Sequence, residues 1–377
     1  MTVKALDAGD FNSYLLKAKK QIKSDLFQHI VMGNESADLD SIVSASMYAY
    51  FLRHQSSRND INIVPLINTR SSEISLRPEV IFLFANTGLD IENLAFQDCL
   101  HPEEFHMAGR LKLTLIDHNE LAHAQSRLKN AVEEIIDHHV DEKQFRNIAH
   151  RVIEPVGSCA TLVAEHILDA APELLDKHLA KFLFGPILLD TVNLDPSKGR
   201  CREKDIAIAS RLLKLGTFPR TKFFEQLMEK RSDLSSFDPH DLMIKDFKIW
   251  TANGFRFGIS VIPIKVERWL SRNPDLLFMI REFAVTMKLD LYLIMAYQVE
   301  ATFAREIIVY SSEHGVLSRT YCSFLKPILN LDPLTNIHFQ SETMENFIIS
   351  IQRNSDISRK ILAPKLRQYF LTENSVP

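Results

Sequence analysis

Glycine is scarce, with 11 in 377 residues, against an ordinary usage of about 7%. Each glycine beside a polar cluster therefore marks a place worth inspecting. Only four cysteines occur, Cys99, Cys159, Cys201 and Cys322. No two stand at a CxxC-like spacing, which argues against a zinc-thiolate site, and four in so long a chain make no secreted disulfide framework. Long hydrophobic runs are missing too. The longest, such as Val80–Ala85 and Leu291–Tyr297, are far too short to span a bilayer. There is no apolar leader at the N-terminus, and Asp7 and Asp10 come early, so neither a signal nor a transit peptide fits. Basic excess is also lacking. Lys plus Arg number 44 and Asp plus Glu 48, for a net charge of −4, which argues against a broad polyanion-binding surface of the nucleic-acid kind. An anion site made of a few focused cations remains compatible with that balance. A cytoplasmic protein is expected, with a mitochondrial pool left open, no membrane or nucleic-acid partner, and a monomeric state.

Hydrophobic residues make up 46% of the chain and charged residues 24%. These are globular values, and a chain this long buries a core without staples. Phenylalanine is abundant at 24, but it is scattered through apolar segments and reads as core. No repeat or low-complexity segment is found. Residues 10–27 have a helical apolar period. Strands are expected at His29–Met32, Asn62–Ile67, Leu111–Ile116, Glu134–Ile136 and Arg151–Ile153. Helices are expected over Ile42–Leu52, from Gly157 to Leu168, and over Leu179–Leu189. This alternation predicts an α/β fold with a mainly parallel sheet flanked by helices. Residues 206–214 look helical, and Gly216–Arg220 breaks the pattern near 216. That gives a first domain over 1–205, a linker over 206–220 and a smaller α+β domain over 221–377. The second domain is expected to hold a helix Thr221–Lys230, a hairpin turning at Asn253-Gly254, a helix over 265–283, strands at Leu289–Ala296 and Arg305–Val309, and a frayed end, Thr372–Pro377.

Five polar constellations fall at the ends of these elements. They are Gly33-Asn34-Glu35-Ser36-Ala37-Asp38-Leu39-Asp40-Ser41, Ile116-Asp117-His118-Asn119-Glu120, Ile136-Asp137-His138-His139, Gly157-Ser158-Cys159-Ala160-Thr161 and Leu189-Asp190-Thr191. Each has an ordinary explanation. Asp38 and Ser41 suit helix capping, Asp117 suits a turn, and Ser158 suits an N-cap or an anion site at a helix start. Together they place a group of acids and a His-His pair at one end of the sheet, where ligands of parallel sheets bind. Carboxylates gathered that densely repel one another, and burying them unpaired is costly. A divalent cation resolves the conflict. An oxygen-rich set with one or two imidazoles suits Mn²⁺ or Mg²⁺, with Co²⁺ or Zn²⁺ as further candidates. Two such ions about 3.5–4 Å apart activate water and clamp a phosphoryl oxygen. In the C-terminal half, Lys248, Arg359 and Lys360 offer cations. Surface cations are usually only solvated.

The ordered motifs GNESADLDS, LIDHN, IIDHH, PVGSCAT and LLDT resemble the DHH phosphoesterases, and the C-terminal half, with DFK and SRK, resembles the DHH-associated second domain. Within that family the chain is most similar to the yeast-type exopolyphosphatases. The resemblance implies an active site in the cleft between two domains. It implies two divalent cations held by Asn34, Asp38, Asp40, Asp117, His138 and Asp190, with Asp117 bridging. Asp117, His138 and His139 would be catalytic. His139, Ser158, Lys248, Arg359 and Lys360 would bind substrate. The implied reaction is removal of the terminal phosphate of inorganic polyphosphate by metal-activated water. A manganese-dependent pyrophosphatase, a small-nucleotide phosphodiesterase and a non-catalytic scaffold are the alternatives. One departure stands out. Pyrophosphatases of this family carry His where this chain has Asn34, and an amide oxygen would shift that site toward Mg²⁺-like ions.

Overall fold

The computed structural model describes residues 8–234, 237–299, 303–334 and 345–372. The expected frayed end lies outside them from residue 373 onward, as does Asp7. The chain divides into two compact units, Met1–Asp233 and Leu234–Pro377. Among the described residues no helix is long and apolar enough to cross a membrane.

The first unit holds six strands: β1 (Phe27–Met32), β2 (Ile61–Ile67), β3 (Ala95–Phe96), β4 (Leu111–Ile116), β5 (Val132–Asp137) and β6 (His150–Ile153). They form one sheet in the order β3-β2-β1-β4-β5-β6, and every pairing is parallel. Parallel strands are covered on both faces, so their sequences run apolar without alternation. β1 shows this, with Val31 packing into one core cluster and Ile30 and Met32 into another. The chain builds outward from β1 to β3, then restarts at β4 and builds the other way. The strand order therefore reverses between β1 and β4, which is the switch point where open α/β sheets form their binding crevice. The loop after β1 begins with Gly33 and Asn34, and β4 ends immediately before Asp117.

The boundary at Asp233 corrects the expected linker at 206–220. Residues 203–215 are a helix, Glu203–Leu215, whose Ile208, Ala209 and Leu212 are buried in the first unit's core. The next helix, Arg220–Ser232, buries Phe223 and Leu227 in the same core. Gly216 only turns the chain between them. A glycine there reads as a boundary in sequence, but the apolar faces on both sides of it are already committed to one core.

The second unit holds β7 (Phe247–Ala252), β8 (Phe255–Ile262), β9 (Leu291–Val299), β10 (Phe303–Tyr310), β11 (Leu331–Pro333) and β12 (Phe347–Gln352) in the order β11-β12-β10-β9-β8-β7. The β8–β9 pairing is parallel and the others antiparallel, so this is a mixed α+β unit. The β7–β8 turn has Asn253 at φ 49° and Gly254 at φ 79°, the left-handed pair that a type I′ turn requires. The helix expected over 265–283 is two helices, Val266–Arg272 and Leu276–Thr286. Pro274 lies between them, and it disfavours helical backbone at Asn273 before it.

Candidate metal centre

The loop after β1, the end of β4 and the end of β5 bring one cluster together. Asp117 is the residue after β4 and has φ 64°, a conformation that Asp tolerates better than most side chains. Its carboxylate is buried. Oδ2 accepts a hydrogen bond from Asn34 Nδ2 at 2.7 Å. Oδ1 is buried with no hydrogen bond of good geometry. Facing Oδ1 are His138 Nε2 at 3.2 Å and His139 Nδ1 at 3.6 Å.

The tautomer of His138 sharpens this. Its Nδ1 lies 3.0 Å from the carbonyl oxygen of Val156. A carbonyl only accepts, so Nδ1 carries the hydrogen. In the neutral ring, Nε2 is then a lone pair aimed at the carboxylate of Asp117 and, at 3.7 Å, at Oδ2 of Asp40. Electron-pair donors that face one another need a proton or a cation among them. Ligating histidines characteristically donate their second nitrogen to a backbone carbonyl in this way.

Asp40 is buried on the helix Leu39–Gln55. Its Oδ2 accepts from Cys159 N at 2.6 Å, and its Oδ1 accepts from Ala160 N at 2.8 Å and from Ser44 Oγ at 3.1 Å. It thus sits on the N-terminus of another helix, Cys159–Ala170, where free N–H groups favour an anion. Asp38 does what the capping explanation expected. It is exposed, and its Oδ1 accepts from Ser41 N at 3.1 Å as N-cap of its own helix. Asp190 ends the helix Lys177–Asp190 within electrostatic reach of Asp40, Asp38 and His138.

The electrostatics have one sign. Burial, with Asp38 repelling, pushes Asp40 above the usual carboxylate range. Burial and the charge of Asp40 push Asp117 well above it, and burial with Asp40 and Asp38 does the same to Asp190. Burial opposes the charge on His138, but the hydrogen bond to Asp117 and the charges of Asp40 and Asp117 raise it to about 10. Without a cation the cluster therefore holds its protons to higher pH than ordinary Asp and His do. Asp137 behaves oppositely. Burial pushes it up, yet hydrogen bonds from His139 and Asn119 bring it below the ordinary value.

These residues fit a divalent cation. Asp117, His138 and His139 each offer a ligand atom, and those atoms lie within 4.8 Å of one another. The buried Oδ1, the lone pair of His138 and the raised carboxylates are each relieved by positive charge.

Two expected site residues behave differently from their assigned roles. Asn34 Oδ1 accepts from Ser36 Oγ at 2.6 Å and from Ala37 N at 3.1 Å. The Ala37 donor fixes the amide's orientation, so the oxygen faces its own loop and the Nδ2 group faces Asp117. Here Asn34 is a donor to Asp117 and offers the cluster no free oxygen. Asn34→Ala is expected to lower turnover about tenfold, as losses of ligand-orienting partners do, and steady-state kinetics at saturating Mn²⁺ will check it. Ser158 is fully buried, with a hydroxyl that makes no hydrogen bond and does not cap the helix it precedes.

Lys248, Arg359 and Lys360 belong to the second unit. Lys248 on β7 and Lys360 are exposed. Arg359 forks onto Asp246, bonding its carbonyl oxygen and, at 2.5 Å, its Oδ1. That ties the start of the helix Arg359–Thr372 to the entry of β7, two residues from Lys248.

Several residues here were assigned no role from sequence. Asp137 is fully buried and accepts from His139 Nδ1 at 2.8 Å, from His138 N at 2.8 Å and from Asn119 Nδ2 at 2.5 Å. It orients both histidines, and its place immediately before them was the available signal. Asp205, a buried carboxylate that accepts from Gly157 N beside this cluster, carried no such signal, because an acid in a helix's first turn is ordinary.

A DHH family N-terminal domain model matches residues 28–187, and a DHHA2 domain model matches residues 225–369. A Rattus norvegicus protein named exopolyphosphatase PRUNE1 is 33% identical over 367 residues, covering 94% of this chain and 78% of that protein. A Schizosaccharomyces pombe protein named putative exopolyphosphatase is 30% identical over 359 residues, covering 89% of each. Among solved structures, a putative family II inorganic pyrophosphatase from Methanococcus jannaschii has the same fold, with a TM-score of 0.56 at 21% identity over 91% of this chain and 99% of that one. By these matches the chain belongs to the DHH family, among the members that carry a DHHA2 domain after the DHH domain.

Proposed function

We propose that this chain is an exopolyphosphatase that hydrolyses the terminal phosphoanhydride bond of inorganic polyphosphate with two divalent cations, Mg²⁺ or Mn²⁺. The observation that carries it is the buried Oδ1 of Asp117, with no hydrogen bond of good geometry and with His138 Nε2 facing it at 3.2 Å. The two relatives named exopolyphosphatase support the choice of substrate.

When bound, such cations neutralise phosphoryl oxygens and lower the pKa of water. Asp117 lies between Asn34 of the loop after β1 and the histidines, and its carboxylate would be shared by the two cations. Asp38 would hold one cation and Asp40 the other, with His138 and Asp190 completing the second cation's shell. Asn34 keeps the Asp117 carboxylate from turning. His139, its side chain about half exposed and hydrogen-bonded to Asp137, presents its ring to the terminal phosphate. Water adds to the terminal phosphorus, the bond to the bridging oxygen breaks, and orthophosphate leaves together with a chain one unit shorter. No covalent enzyme intermediate is required.

In the second unit, Lys248, Arg359 and Lys360 supply phosphate contacts. An arginine can hold two phosphate oxygens at once where the lysines act as point charges, and Arg359 would exchange its present contacts with Asp246 for them. Arg359→Ala is expected to raise KM for polyphosphate about tenfold with a smaller change in kcat. Arg359→Lys should fall between, since it keeps the charge and loses the fork. A KM that stays unchanged in both would place Arg359 in a purely structural contact with Asp246.

The test of the function is orthophosphate release from long polyphosphate, tripolyphosphate and pyrophosphate with Mg²⁺ or Mn²⁺. Release from the ends of polyphosphate is expected. Turnover of pyrophosphate alone would turn the assignment to a pyrophosphatase, and no release from any substrate with either metal would sink it.

A further inference from the structure

We propose that Asp205 is a positioning residue that sets His138 and Asp40 by pinning the segment 156–160, although it touches neither. This rests on the reading of His138 and Asp40 as cation ligands. Asp205 lies in the first turn of the helix Glu203–Leu215 and is fully buried. Gly157 N donates to its Oδ1 at 3.0 Å and to its Oδ2 at 2.8 Å. Thr161 Oγ donates to Oδ1 at 2.6 Å, and Arg202 N donates to Oδ2 at 2.7 Å. Two of these three donors are backbone N–H groups, so both carboxylate oxygens must accept.

The pinned segment supplies the backbone groups that hold both ligands. On one side of Gly157, the Val156 carbonyl fixes Nδ1–H of His138 and so aims Nε2 at Asp117. On the other side, Cys159 N and Ala160 N hold the two oxygens of Asp40. Between them Gly157 has no room for a side chain. A Cβ there would lie 2.5 Å from Thr191 Cγ2, 2.7 Å from the Arg200 carbonyl oxygen and 2.9 Å from Asp205 Oδ2. One buried carboxylate on a later helix thus fixes the loop that orients a histidine and a carboxylate from two other elements. A partner that orients ligands typically changes metal affinity by about 10–100-fold when lost.

Asp205→Asn is nearly isosteric, but its amide group turns one accepting oxygen into a donor that faces donors. The test compares wild type and Asp205→Asn by amide hydrogen exchange without metal and by Mn²⁺ titration. The expected result is exchange at Gly157, Cys159 and Ala160 at least about tenfold faster than wild type, with the sheet amides of Ile30, Leu113 and Ile135 unchanged, and an Mn²⁺ Kd raised about 10–100-fold. Unchanged exchange at the three amides, or equal acceleration at the sheet amides, overturns the proposal, because the first shows no pin and the second only a general loss of stability. If Asp205→Asn does not fold, Thr161→Val removes one donor and leaves the carboxylate. Its exchange at Cys159 and Ala160 should rise severalfold, and no change there is equally decisive against the pin. A wild-type chain that binds no Mn²⁺ would sink the proposed function instead, while the exchange comparison would still decide the role of Asp205.

Discussion

Asp117→Asn is expected to lower phosphate release from polyphosphate by on the order of 10³-fold while making the metal-free protein more stable. Both effects follow from the same contacts. An asparagine side chain has the shape of the original and suits the φ of 64° at this position. Its oxygen accepts from Asn34 Nδ2. With the Asp117 carboxylate no longer raising it, His138 gives up its Nε2 proton more readily, and Nε2 then accepts from the new amide group. The buried, unbonded oxygen is gone, and so is a carboxyl whose ionisation burial and Asp40 oppose. The gain at neutral pH should be about 1–3 kcal/mol, the scale of one buried unsatisfied polar group. The same neutral amide cannot balance two cations, so an electrostatic contribution of the size that preorganised charges supply is lost. Thermal unfolding in chelator and initial rates at saturating Mn²⁺ read the two effects separately. Near-normal turnover by the variant would show that Asp117 bridges nothing.

Chelation is expected to abolish turnover and to reverse the pH dependence of stability. Asp40, Asp117, Asp190 and His138 are all raised in the folded chain. The metal-free folded state then holds more protons than the unfolded state, so its stability falls as pH rises. For the three carboxylates the decline begins at their ordinary value of about 3.8. For His138 it runs from its ordinary 6.5 up to about 10. Asp137 is lowered and has the opposite sign, but it acts only at acid pH, below 3.8. A bound cation must displace the retained protons. Affinity for Mn²⁺ should therefore tighten by about tenfold per pH unit for each proton released, and the metal-loaded protein should gain stability from pH 5 toward pH 8 where the chelated protein loses it. Melting curves with and without Mn²⁺ over that range check the crossing. Parallel pH slopes in the two states would mean that the raised groups do not face the ion.

The order of motifs along the chain was enough to expect the α/β class, the five polar constellations and their convergence. The reason is local. A parallel strand buried on both faces must read as an apolar run, and such a run ends where the chain leaves the sheet, so Asp117 and Asp137 were marked by position. The hairpin at Asn253-Gly254 was legible for a similar reason, because a two-residue turn needs left-handed backbone that few residue pairs adopt. The boundary was not legible. Gly216 and the charged residues near it look like a linker, and only the burial of Phe223 and Leu227 shows which core the next helix serves.

What the sequence by itself determined is which residue types reach the carboxyl ends of the strands, since alternation of apolar runs and polar loops is a one-dimensional property. What only the tertiary structure decided is how those side chains are used. Asp38 caps its own helix while Asp40 holds the end of another, 119 positions away in the chain. Asn34 turns its amide toward Asp117 because Ala37 holds its oxygen. Asp205 reaches back 48 positions to grip Gly157. Each of these is a hydrogen bond whose partner is fixed by the packing of whole elements, and an acceptor's partner in space leaves no mark on its neighbours in sequence.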